Sequence, residues 1–66
     1  MKTYFINFTV QRSDGSIVLS QAFSTTSQNF DFASSSLEFD LTLLENLLPD
    51  NLSVVYDLTK IYCYEK

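Results

Sequence analysis

Sixty-six residues with eight acidic and four basic side chains give a small acidic chain of formal charge −4, long enough for one globular domain spanning residues 1–66. The chain has no histidine, one cysteine and one glycine, which excludes an intrachain disulfide, a conventional zinc site and a glycine-rich phosphate loop. A content of 45% hydrophobic and 15% aromatic residues, with only 18% charged, is that of a chain with a real core.

Residues 2–11 alternate strictly. Tyr4, Ile6, Phe8 and Val10 share one face, and Phe5, Asn7, Thr9 and Gln11 the other, which is the period of a half-buried strand. Asp14-Gly15 is a strong hairpin signal, so a second strand is expected from Ile17 to about Thr25. With Asp14-Gly15 as a two-residue turn, Val10 faces Leu19, Phe8 faces Gln21 and Ile6 faces Phe23. Ile17, Leu19 and Phe23 then join the apolar face, whereas a one-residue slip would bring Val18, Ser20 and Ala22 there and bury less.

Residues 24–36 hold two polar stretches around Phe30-Asp31-Phe32 and read as an irregular connection pinned to the core by its rings. Residues 37–43 alternate like a strand, yet Leu37, Leu41, Leu44 and Leu48 form a helical stripe, and Ser35 with Glu38 makes a capping box. Thr42 with Glu45 makes a second box that would start a shorter helix. Both readings make residues 43–48 helical and stop at Pro49. The preferred one is a single helix from Ser36, packed on the sheet through Leu44, Leu47 or Leu48.

Pro49-Asp50-Asn51 is a turn, and Leu52, Val54, Tyr56 and Leu58 line one face of a last strand. Beyond it either Tyr62 and Tyr64 continue inward, or a bulge near Thr59 brings Ile61 and Cys63 inside and turns both tyrosines out. Cys63 is expected to be a small buried hydrophobe rather than a reactive thiol. The expected architecture is an α+β fold: a small single domain in which an antiparallel sheet, made of an N-terminal hairpin and a C-terminal strand, packs against one helix.

No serine has a histidine to activate it. The acid pairs Glu38/Asp40 and Asp40/Glu45 are more simply a solvated face than a catalytic pair. No enzyme activity, cofactor or metal is expected. Lys2, Arg12, Lys60 and Lys66 are too few and too scattered to neutralise a nucleic-acid backbone. No apolar run reaches the length of a membrane span, and Asn7 and Thr9 interrupt any signal-peptide core. A cytoplasmic location is expected.

What remains is binding. No basic residue stands between Gly15 and Thr59, so Glu38, Asp40, Glu45, Asp50 and Asp57 are the candidate acidic surface for a basic protein partner. The competing reading is ordinary solubilising charge. Tyr62 and Tyr64, if outward, form an aromatic patch of the kind enriched at interfaces. In size, acidity and lack of catalytic residues the chain resembles the small inhibitors encoded by phages and mobile elements, anti-CRISPR proteins among them. That likeness is carried by no motif, so it transfers no functional residue. The expected function is a non-enzymatic inhibitor or modulator that occludes a basic, nucleic-acid-binding surface of a larger partner. The alternative is a structural or assembly protein, a homodimer for instance, that self-associates through a strand edge.

Overall fold

The computed structural model describes residues 1–64. The alternating N-terminal residues form β1 (Lys2–Arg12), the central strand of an antiparallel sheet. β2 (Ile17–Ser27) pairs with one edge of β1 along its whole length. The other edge of β1 is shared end to end by two short strands. β3 (Leu52–Tyr56) pairs with residues 8–12, and β4 (Tyr62–Tyr64) with residues 3–5. Between β2 and β3 runs α1 (Phe30–Leu47), which packs on β2, β1 and β3. The fold is α+β, with a four-stranded antiparallel sheet against one helix.

The hairpin register is Ile6 to Phe23, Phe8 to Gln21 and Val10 to Leu19, as the apolar pattern requires. The turn differs from the two-residue form. Arg12 and Ser16 close it through Arg12 N–H donating to the Ser16 carbonyl, and Gly15 N–H donates to the Arg12 carbonyl, both at 2.9 Å. Ser13-Asp14-Gly15 is thus a three-residue loop. Gly15 alone has positive φ, at +88°, the conformation glycine adopts without steric cost. The extra loop residue is cancelled by an irregularity between Val10 and Gln11, which sets Gln11 opposite Ile17 and leaves Val18 extra. Ile17 therefore joins the Gln11 side of the sheet instead of the core, and Leu19, though on the core side, remains exposed.

The helix begins earlier than the capping boxes indicate. Asn29 is the cap: its side-chain oxygen accepts from Phe32 N–H at 3.0 Å. The expected irregular connection at residues 24–36 is instead the end of β2 followed by two turns of α1. Ser35 and Thr42, the expected caps, lie inside the helix. The reason is packing. Ala33, Leu37 and Leu41 repeat every four residues and are fully buried, and such burial outweighs the weak helix propensity of three consecutive serines. Leu44 and Leu48 extend the stripe, whereas Leu47 points to solvent at 82% exposure. Leu48 is extended (ψ 152°), as the residue before Pro49 must be.

Tyr4, Ile6, Phe8 and Val10 from β1 meet this stripe, with Val54 from β3 completing the buried core. Phe8 and Phe23 pack at 4.6 Å between ring centres, and Phe30 meets Tyr4 edge-on at 6.2 Å. The last strand breaks at a single 3₁₀ turn, Leu58–Lys60, where a bulge near Thr59 was one of the two readings left open. Its effect on parity is that of the bulge: Ile61 packs against the core, while Tyr62 and Tyr64 face outward. Cys63 stands opposite Tyr4 but is exposed, not buried. α1 packs on β2, β1 and β3, and the corner of the sheet formed by β4 stays uncovered at Cys63.

Candidate protein-interaction site

α1 carries three stripes. At about 100° per residue, the buried stripe of Ala33, Leu37, Leu41, Leu44 and Leu48 faces the sheet. A second apolar stripe, Phe32, Phe39, Leu43 and Leu47, falls within an arc of about 80° and is exposed throughout, from 45% at Leu43 to 82% at Leu47. Ser36 lies in the same arc, and its hydroxyl is 3.5 Å from that of Thr25 on β2. This apolar flank therefore overlooks β2.

The third stripe is acidic. Asp31, Glu38 and Glu45 recur at seven-residue spacing on the flank turned away from β2, and all three are exposed. Asp50 extends the row past the helix end. It lines, with Glu45, Asn46, Pro49 and Ser53, a shallow depression of about 330 Å³. A second depression of about 350 Å³, between Ser35, Glu38, Phe39 and Thr42, lies where the acidic and apolar stripes meet.

Of the acids expected on one surface, the helix separates Asp40 from the rest. Residues two apart on a helix point about 200° away from each other, so Glu38 and Asp40 occupy opposite flanks, and Asp40 is half-buried on the β2 side. This removes the Glu38/Asp40 pair as a unit of any kind. Asp57 is exposed in the loop after β3, and its carboxylate is engaged locally. It accepts from Thr59 N–H at 2.9 Å and from the Thr59 hydroxyl at 2.6 Å, capping the 3₁₀ turn. These bonds, the hydroxyl first, hold its pKa below the usual 3.8. Asp14 is held low in the same way by the Ser16 hydroxyl and backbone N–H.

The tyrosines belong to a different surface. Tyr62 stacks on Phe5 at 5.3 Å with the rings 15° from parallel. Tyr64 stands opposite Thr3 on the same face. This is the open side of the sheet, shared with Asn7, Thr9 and Gln11, and α1 shields the opposite side. Tyr62 and Tyr64 thus lie across the sheet from the acidic row, not beside it.

Sequence reasoning missed the apolar flank of Phe32, Phe39, Leu43 and Leu47. The signal was present in the i, i+7, i+11, i+15 spacing: Phe39, Leu43 and Leu47 share a flank of the helix expected from Ser36, and only Phe32 requires the earlier start. Among the described residues no group of three His, Cys, Asp or Glu side chains is placed to hold a metal ion. No described helix is long and apolar enough to cross a membrane.

No family, curated protein or solved structure gives a match to this chain. Its function must be argued from its surfaces.

Proposed function

We propose that this chain is a non-enzymatic, cytoplasmic protein-binding domain that occludes a basic surface, of the nucleic-acid-binding kind, on a larger protein. It would act in the manner of the small inhibitors of phages and mobile elements. The observation that supports this reading is the acidic row Asp31, Glu38, Glu45 and Asp50. These carboxylates are all exposed, and no lysine or arginine is present anywhere between Gly15 and Thr59. Such a one-signed stripe attracts a basic partner over a distance set by ionic screening, about 8 Å at physiological salt.

The test is binding kinetics against the partner recovered by affinity capture from the native host. Reversing Glu38→Lys and Glu45→Lys together slows association several-fold at low salt and changes dissociation less, because rim charges act mainly on encounter. The difference shrinks as salt rises. The substitutions are exposed and cost the fold no more than about 0.5 kcal/mol each. Association that is unchanged at low salt removes the acidic row from the mechanism and makes the Phe5/Tyr62/Tyr64 face the leading surface.

A further inference from the structure

We propose that two copies of this chain pair antiparallel through the free edge of β2, with their α1 helices meeting across the two-fold axis through Phe32, Phe39, Leu43 and Leu47. This proposal stands independently of the acidic row.

Among the described residues β2 pairs with β1 alone, leaving one side of an eleven-residue strand as the sheet's outer edge. Exposed edges are ordinarily protected by lysine, proline, inward charges or brevity. β2 carries a bulge at Val18 near its start, but none of these devices: residues 17–27, IVLSQAFSTTS, contain no charge, no proline and no glycine. Beside this edge stands the unpartnered apolar flank of α1, placed there by the contact between Ser36 and Thr25. At about 200 Å² for a whole ring, Phe32 and Phe39, at 70% and 63% exposure, present roughly 270 Å² to solvent. Leu43, Leu47, Leu19 and the strand edge enlarge this to several hundred Å² of one contiguous surface. That is toward the upper end of what a monomer exposes in one patch and a large part of the roughly 800 Å² per partner of a stable interface.

Symmetry selects a second copy as the occupant. α1 starts just after β2 ends and finishes near the start of β3, which pairs with the far end of β1. It therefore runs back along β2 in the opposite direction. Antiparallel pairing of β2 with its own copy continues the sheet and keeps both helices on the same side. It also lays the two apolar flanks against each other, the self-complementary arrangement of an isologous dimer. Charge permits it as well. Asp31, Glu38 and Glu45 lie on the flank turned away from β2, so the acidic rows of the two copies face outward. Asp40 is the one helix acid on the β2 side, and it is half-buried.

Sedimentation velocity of the full chain from low-micromolar to about 200 μM should show a species of twice the 7.6 kDa chain mass. Leu43→Glu on the helix flank and Ser24→Lys on the strand should each convert it to monomer with the circular dichroism spectrum unchanged, because both positions are exposed. Glu38→Lys, on the other flank, should leave the dimer intact. Independently of any variant, β2 amides should exchange more slowly with solvent at high chain concentration than at low. A chain that stays monomeric throughout the range overturns the proposal, as does a dimer that survives both substitutions. Concentration-independent exchange, with the edge capturing an added extended peptide instead, also overturns it.

Discussion

Asp14 and Asp57 do the same work at two loops. Each carboxylate accepts a backbone N–H and a hydroxyl from the residue two positions on, Ser16 and Thr59 respectively. Such bonds favour the charged form, so both groups titrate below their usual 3.8. A native pKa below the unfolded value contributes stability above the unfolded pKa, and this is lost as pH falls through the lowered native value. The affected window is therefore acid, below about pH 4. Asp57→Asn keeps the acceptor but not the charge. Urea unfolding of this variant, measured from neutral pH down into that window, should show a shallower loss of stability than the parent chain. Identical acid limbs would mean that the Thr59 bonds do not favour the ionised carboxylate.

At the scale of elements, α1 is held at its start by one side chain and along its length by burial. Asn29→Ala removes the bond to Phe32 N–H and should cost about 1 kcal/mol. Ser35→Ala, at the position that the capping-box pattern singles out, should be neutral or slightly stabilising, because alanine is the better interior helix residue. Chemical denaturation of the two variants separates the caps, and an equal or larger loss for Ser35→Ala would contradict Asn29 as the cap. The hairpin shows a related compensation. Its loop is one residue longer than the Asp-Gly signal implies, and the extra residue near Val18 restores the pairing of Val10 with Leu19. Burial of Ile6, Phe8 and Val10 fixes the register, and the turn adapts to it.

At the scale of the whole molecule the core is small: eight buried residues among those described, half of them on β1. Domains are stable by about 5–15 kcal/mol, and a chain this short sits toward the lower end. Phe8, 4% exposed and packed on Phe23, is with Tyr4 one of the two rings of that core. Phe8→Ala should cost about 3–5 kcal/mol, enough to leave a large fraction of the chain unfolded at 25 °C. A variant retaining the parent's cooperative unfolding midpoint would show that the sheet–helix interface does not depend on β1. The same economy of core explains why so much apolar surface remains outside. One helix cannot cover both the sheet and its own second stripe, and the acidic, apolar and aromatic surfaces are what is left over.

The order of strand, turn and strand, the inward face of β1, the hairpin register and the stop at Pro49 were all legible in the chain. Each rests on local periodicity or on the steric rules of single residues. The stripe of Leu37, Leu41, Leu44 and Leu48 was legible for the same reason. Tertiary structure decided the rest. Residues 30–36 are helical because Ala33 is buried against the sheet one turn before Leu37, a place in the stripe that a small side chain among polar neighbours marks only weakly. The earlier start adds Phe32 to Phe39, Leu43 and Leu47 on one flank, and packing sets that flank beside the free edge of β2. The capped 3₁₀ turn, set by how β3 and β4 share one edge of β1, turns Tyr62 and Tyr64 outward, Tyr62 onto Phe5. Local sequence dictates which face of an element is apolar; only packing dictates which faces are covered and which are left bare.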